Sequence, residues 1–125
     1  MKITSFSPII TTGHYDDAVK LFEELGFEKK HLSTNIDNRG ITSVTMENAD
    51  GFRLNISGIK EYTQDTMGIR MNVDNFGEAY DILIKHGFKN PRGDKTIDSK
   101  SSKAATMVSP SGFSISIVQH IKDHD

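Results

Sequence analysis

The sequence has no cysteine and no tryptophan, almost no excess charge, and no long apolar run. The absence of cysteine removes disulfides, thiolate metal sites and cysteine nucleophiles, and it suits a reducing cytoplasm, which is the expected location. Fifteen basic residues against seventeen acidic ones leave a net charge of −2 with no basic stripe, so nucleic acid is not an expected partner. The opening MKITSFSPIITTGHYDD has one lysine and no extended apolar stretch. Neither a signal peptide nor a membrane span is expected from it. There is also no Gly-rich phosphate loop, no nucleophile elbow and no His-Glu zinc motif. A chain of 125 residues makes one domain, or two very small ones that share a core.

What the sequence does have is a single internal repeat at an offset of 61 residues. Ala18 maps to Ala79, Gly26-Phe27 to Gly87-Phe88, Met46 to Met107, Gly51-Phe52 to Gly112-Phe113, and Ile56 to Ile117. Two copies are too few for a solenoid, which needs about three stacked units to bury a continuous core. A paired, pseudo-symmetric domain is the better expectation.

Each copy reads the same way. In the first, Ile3 to Thr11 is β-branched and short, hence a strand, and Gly13 breaks it. His14 to Leu25 places Ala18, Val19, Phe22 and Leu25 on one helical stripe, with Asp16 and Asp17 in the first turn and Gly26 as its stop. Glu28 to Ser33 reads as a short strand, followed by a turn through residues 35–40. Ile41 to Asn48 and Phe52 to Ser57 then form a hairpin. In the second copy Gly68 to Val73 is a strand, and Phe76 to His86 is a helix closed by Gly87. Ala104 to Val108 and Phe113 to Gln119 make the last hairpin. Lys60 to Thr66 is the linker. The fold class is therefore α+β, with two βαβββ modules. Module one spans about 1–59 and module two about 67–121, within a single domain over 1–125.

Strand alternation sorts residues onto two faces. Phe6, Pro8, Ile10, Phe52, Leu54, Ile56, Ile69, Met71, Val73, Phe113, Ile115 and Ile117 make an apolar set that should meet the helices. The opposite set is mostly polar and includes Ser7, Arg53, Asn55, Gly68, Arg70, Asn72, Ser114 and Ser116. A three-residue hairpin loop predicts Met46 opposite Phe52 and Met107 opposite Phe113.

With these elements in place, the chain resembles the vicinal oxygen chelate superfamily, which includes glyoxalase I, extradiol dioxygenases and the fosfomycin and bleomycin resistance proteins. The resemblance rests on Ala18-Val-Lys-Leu-Phe-Glu-Glu-Leu-Gly-Phe27, Val73-Asp-Asn-Phe76, Ala79-Tyr-Asp-Ile-Leu83 and His86-Gly-Phe88. The paired strand entries Ala49-Asp-Gly-Phe-Arg-Leu54 and Ser109-Pro-Ser-Gly-Phe-Ser-Ile115 add to it. It implies a curved mixed sheet around a cup that holds the ligand, helices on the outer face, and a homodimer.

The resemblance also implies a divalent metal held by one side chain from the first and last strand of each module. Carried onto this sequence, those positions are Ser7, Asn55, Gly68 and Ser116. Family enzymes place His, Glu or Gln there. Hydroxyls and an amide oxygen are poor ligands for such ions, and glycine offers none. A register slip by one gives Pro8, Leu54, Ile69 and Ile115 or Ile117, which is worse. A metal-free member without a cofactor is the expectation.

Among the residues left, Arg53 and Arg70 fall on the polar face, where a guanidinium can hold a carboxylate or phosphate bidentately. The plain alternative is that they pair with Glu47 or reach solvent. Glu47 is the one acid on that face and the candidate general base, with a rim salt bridge as its structural role. His14, His31, His86, His120 and His124 read as helix-end, strand and tail residues. Asn90 to Ser102 reads either as a lid or as the second strand of module two.

Three functional readings follow. The first is a metal-free small-molecule-binding protein that sequesters an acidic or oxygen-rich ligand through Arg53, Arg70, Asn55, Ser7, Asn72 and Ser116. The second is a metal-independent lyase or isomerase using Glu47 with Arg53 and Arg70. The third is a ligand-sensing or protein-interaction module. The missing tryptophan and the arginines argue against a cationic, bleomycin-like ligand. The expected partners are a small molecule and a second copy of the chain, with no membrane and no nucleic acid.

Overall fold

Hydrophobic patterning in each copy produces a helix packed on one face of a mixed four-strand set. The computed structural model describes residues 1–36, 40–98 and 102–121. The centre of the turn at 35–40, the end of the Asn90 to Ser102 stretch, and the tail with Asp123, His124 and Asp125 lie outside the described residues.

The chain divides into two compact units, Ser7–Met67 and Met1–Phe6 together with the residues from Gly68 onward. The first unit holds the end of β1 (Ile3–Thr12), α1 (Tyr15–Glu24), β2 (Glu28–Ile36), β3 (Ile41–Glu47) and β4 (Arg53–Gly58). Its strand order is β2-β3-β4-β1, with β1 parallel to β4 and the other pairs antiparallel. The second unit holds β5 (Thr66–Val73) from Gly68 on, α2 (Phe76–Lys85), β6 (Ile97–Asp98), β7 (Ser102–Val108) and β8 (Ser114–His120), in the order β5-β8-β7-β6. Here β5 is parallel to β8, and β8 and β7 are antiparallel. The α+β class and the βαβββ order of both modules match the repeat read from the sequence.

Part of the predicted apolar set enters the cores: Leu54, Ile56, Val73 and Ile117 are buried, Ile10, Met71 and Ile115 pack against them, and Pro8 is exposed. In the first unit Val19, Val44, Met46, Leu54 and Ile56 are buried together, with Ile10, Tyr15, Ala18, Phe22 and Phe27 packed against them. In the second, Val73, Phe76, Ala79, Leu83, Phe88, Ala105, Met107 and Ile117 do the same. Three aromatics of that set stay out. Phe6, Phe52 and Phe113 are 64%, 67% and 52% exposed. Phe52 and Phe113 precede the first residues of β4 and β8, so the alternation that buries Leu54 and Ile115 has not yet begun at them.

The hairpin pairing differs by two positions from the Met46–Phe52 and Met107–Phe113 expectation, although the loops have the expected three residues. The Asn48 N–H donates to the Phe52 carbonyl at 3.0 Å and the Ser109 N–H to the Phe113 carbonyl at 2.8 Å. Residues 49–51 and 110–112 therefore form the loops, and Met46 faces Leu54 while Met107 faces Ile115. A shift of two keeps every side chain on its face, which is why the face assignment survives. Both loops are also held by a side-chain acceptor at the same repeat position. The Asn48 amide oxygen accepts from the backbone N–H of Asp50 and Phe52 at 3.1 and 2.9 Å. Ser109 Oγ, 61 positions later, accepts from Gly112 and Phe113 at 2.9 and 3.0 Å. Gly51 and Gly112 supply the positive φ, +87° and +111°, that each turn requires.

Candidate functional site

The polar residues singled out from the sequence fall on the strand faces opposite the helices, and they do different things in the two units. In the first unit they are consumed by one another. Ser7 Oγ donates to Asn55 Oδ1 at 2.7 Å, and Asn55 Nδ2 donates to Thr45 Oγ1 at 2.8 Å. This chain crosses β1, β4 and β3, with Thr45 directly opposite Asn55 in the register. Asn55 is 2% exposed, and Ser7 is buried as well. Their polar atoms are therefore satisfied inside the protein, as buried groups must be. Thr45 was not singled out from the sequence. The available signal was its place in the repeat, since Thr106 occupies the same position in the second copy.

Arg53 and Glu47 face each other across β3 and β4, and Arg53 Nε donates to Glu47 Oε1 at 2.7 Å. Arg53 is more than half exposed, so this pair is a solvated rim contact. A carboxylate already bonded to a guanidinium is a poor general base.

The second unit fills its corresponding positions differently. Ser116 and Thr106 share a hydroxyl–hydroxyl bond of 2.8 Å across β8 and β7. Position 68, which matches Ser7 in the repeat, carries no side chain. A Cβ built there would meet the Ser114 carbonyl oxygen at 2.7 Å as well as its hydroxyl. Arg70 lies directly opposite Ser116 in the parallel β5–β8 register. It is half-buried, and burial lowers its pKa. Among the described residues its guanidinium has no ion pair and no hydrogen-bond acceptor. Asn72, two residues further on β5, places its Nδ2 3.2 Å from His120 Nε2, and its Oδ1 is buried without a partner. His120 belongs to β8, not to a polar tail.

A different hollow, about 500 Å³ in volume, opens in the first unit where β1 runs into α1. It is lined by Gly13, Tyr15, Asp16, Gly40, Gly58 and Lys60 among others, and its three glycines are its one mark in the sequence. The Tyr15 hydroxyl beside it is buried without a partner, and burial raises its pKa with help from Asp16. The described part of the Asn90 to Ser102 stretch is tied down locally. Asn90 Nδ2 donates to the Tyr80 hydroxyl and to the Lys95 carbonyl, and the Asn90 side chain accepts from the Arg92 N–H.

The metal implied by the resemblance does not fit these residues. Ser7 and Asn55 spend their oxygens on each other, Ser116 is paired to Thr106, and the space a ligand at position 68 needs is taken by Ser114. Among the described residues, no three His, Cys, Asp or Glu side chains are grouped closely enough to hold a metal ion. No described helix is long and apolar enough to cross a membrane.

No protein-family model matches the chain, and no curated protein is similar to it. Solved structures do match. Methylmalonyl-CoA epimerase from Mycobacterium tuberculosis superposes with a TM-score of 0.69 at 13% identity, covering 94% of this chain and 88% of that one. The Streptomyces coelicolor methylmalonyl-CoA epimerase in complex with 2-nitronate-propionyl-CoA gives 0.66 at 18% identity, covering 94% and 98%. A glyoxalase/bleomycin resistance protein/dioxygenase superfamily member from Vibrio splendidus gives 0.56 at 14% identity, covering 96% and 100%. Identity this low carries the fold and leaves the chemistry to the residues. The order of elements, the duplicated register and these superpositions agree that the chain has the vicinal oxygen chelate fold.

Proposed function

We propose that this protein is a metal-free, small-molecule-binding domain of the glyoxalase/bleomycin-resistance type, acting on an acidic or oxygen-rich ligand as a homodimer in the cytoplasm. The observation that carries this reading is the fate of the four positions where the family's metal enzymes hold their ion. Two are locked into the Ser7–Asn55–Thr45 chain, one is tied to Thr106, and one is a glycine whose Cβ space is already filled. Chelation would require breaking buried hydrogen bonds at about 1–3 kcal/mol each before any ligand bond formed.

Binding needs no metal if the protein itself offers charge and donors. Arg70 supplies a guanidinium, while the hydroxyls of Ser116 and Thr106 and the amide of Asn72 supply neutral polar groups on the same strand face. The epimerase neighbours hold 2-nitronate-propionyl-CoA and methylmalonyl-CoA, both acidic and oxygen-rich, which supports a ligand of that chemistry here. It gives no support to isomerase chemistry at Glu47, whose carboxylate is engaged by Arg53.

The test is a thermal-shift screen of acidic metabolites and antibiotics in EDTA, with a turnover assay on every hit. Ligand-dependent stabilisation that EDTA leaves intact, with no product formed, is the expected result. Stabilisation that EDTA abolishes, or conversion of a stabilising compound, would overturn it.

A further inference from the structure

Resting on the binding reading above, we propose that Arg70 is the anchor of the site, that its guanidinium takes over the charge a divalent ion provides in metal-dependent members, and that the group it holds is a singly charged carboxylate. Three observations meet at this residue.

The first is an uncompensated cost. Moving a guanidinium out of water is unfavourable unless an anion or a full set of acceptors replaces the lost hydration. Arg53 has such a partner in Glu47, but among the described residues Arg70 has none. A half-buried, unpaired cation buys the fold nothing, so its return must come from outside the chain. The neighbouring Asn72 Oδ1, also buried without a partner, marks the same spot as incompletely satisfied.

The second is the lack of an acidic side chain among the described residues that β5, β7 and β8 bring to its face. Gly68, Asn72, Ser114, Ser116 and Thr106 share the strand face with Arg70 and carry no charge. His120, bonded to Asn72, is the other titratable side chain that β5, β7 and β8 bring to this face. Lys103 lies on the opposite side, its ammonium 5.3 Å from the centre of the Phe76 ring. One guanidinium in a poorly solvated setting balances one negative charge. A dianion would leave its second charge buried and unpaired, which a low-dielectric site penalises.

The third is the shape of the donor. A guanidinium presents two parallel N–H groups, which match the two oxygens of a carboxylate. Beside it, Gly68 keeps the backbone of β5 bare, and the space its side chain would claim is already occupied by Ser114. Arginine is therefore the group left to meet the anion at this end of the β5–β8 pair.

The experiment is isothermal titration at pH 8 in EDTA, where histidine is neutral. Benzoate and pyruvate serve as monoanions, malonate and inorganic phosphate as dianions, and benzamide as a neutral match to benzoate. A monoanion is expected to bind at least about tenfold more tightly than either dianion, and benzamide more weakly still. Arg70→Gln is expected to lose at least about tenfold in monoanion affinity, while Lys103→Gln changes it less than about twofold. Without ligand, Arg70→Gln is expected to melt about 3–6 °C above the parent, because the unpaired charge is gone. Should Arg70→Gln fail to fold, Arg70→Lys keeps the charge without the fork and is expected to bind several-fold more weakly. Equal affinity in the Arg70 variants, or dianions preferred over monoanions, would overturn the proposal. Benzamide binding as tightly as benzoate, with the Arg70 variants indifferent, would overturn the anchor and leave small-molecule binding standing. No response to any probe would overturn both.

Discussion

At the scale of single residues, the two units solve the problem of a buried polar face in opposite ways. The first closes its donors and acceptors into a chain, and the second leaves Arg70 and Asn72 unsatisfied. Asn55 is the hinge of the closed chain, since its oxygen and nitrogen serve different strands. Asn55→Leu strands both Ser7 and Thr45, and chemical denaturation should show a loss of about 2–4 kcal/mol. A loss below about 0.5 kcal/mol would mean that the chain contributes little. Tyr15 is the reverse case. Its hydroxyl is buried without a partner, so Tyr15→Phe should be neutral or stabilising by up to about 1 kcal/mol. Its sign with pH is also defined. The folded-state pKa lies above the ordinary value of 10.0, so the folded protein holds this proton longer than the unfolded chain does. Stability from Tyr15 is thus complete below about pH 10 and declines above it. Tyr15→Phe should flatten that part of the alkaline limb.

At the scale of elements, the repeat allows each copy to be used as a control for the other. Asn75 caps α2 by accepting from the Glu78 N–H at 3.0 Å, whereas His14, its counterpart, makes no side-chain cap on α1. His14→Asn should therefore raise the unfolding free energy by about 0.5–1 kcal/mol, measured by urea denaturation. The paired turns give a second comparison. Asn48→Ala takes the side-chain acceptor from two backbone N–H groups and should cost about 1–2 kcal/mol. Ser109→Ala takes it from Phe113 while Gly112 keeps the Ser109 carbonyl at 3.1 Å, and should cost less, about 0.5–1 kcal/mol. β2 and β6, at one end of the strand order of each unit, are blunted. β2 carries Lys29, Lys30 and His31 with two register breaks, and β6 is two residues long, so neither invites another strand. Much of this level was legible in advance. Alternation fixed the faces, and Gly26 and Gly87, at φ +102° and +86°, end the helices as their positions predict. The three-residue loops were legible, but the pairing across them was two positions off, because a loop over 49–51 sets Phe52 opposite Asn48 and so Leu54 opposite Met46. The site was half legible. Parity placed Arg53 and Arg70 on the polar face, but only their neighbours separate a neutralised rim arginine from an unpaired one.

At the scale of the whole molecule, the two copies carry different polar faces: the first pairs Ser7, Asn55 and Thr45 with one another, and the second carries Arg70. That unit also holds the chain's beginning. The Met1 ammonium lies 2.9 Å from Glu78 Oε1, and Lys2 N–H donates to Asp74 Oδ1 at 2.6 Å. The bond to Glu78 raises the pKa of the ammonium above 8.0, so its stabilising effect is full below about pH 8 and fades as pH climbs through the higher folded value. Hydrogen exchange at Lys2 should accelerate across that range, beyond the intrinsic base-catalysed rise, and acetylating the amine should remove the excess. The larger claim is that this fold binds its ligand here without a divalent ion. Its most direct test is the metal content of the protein after incubation with Zn²⁺, Ni²⁺, Co²⁺ and Mn²⁺ and removal of free ion, read by plasma mass spectrometry. The account predicts far less than one ion per chain for every metal; one tightly retained ion per chain would contradict it.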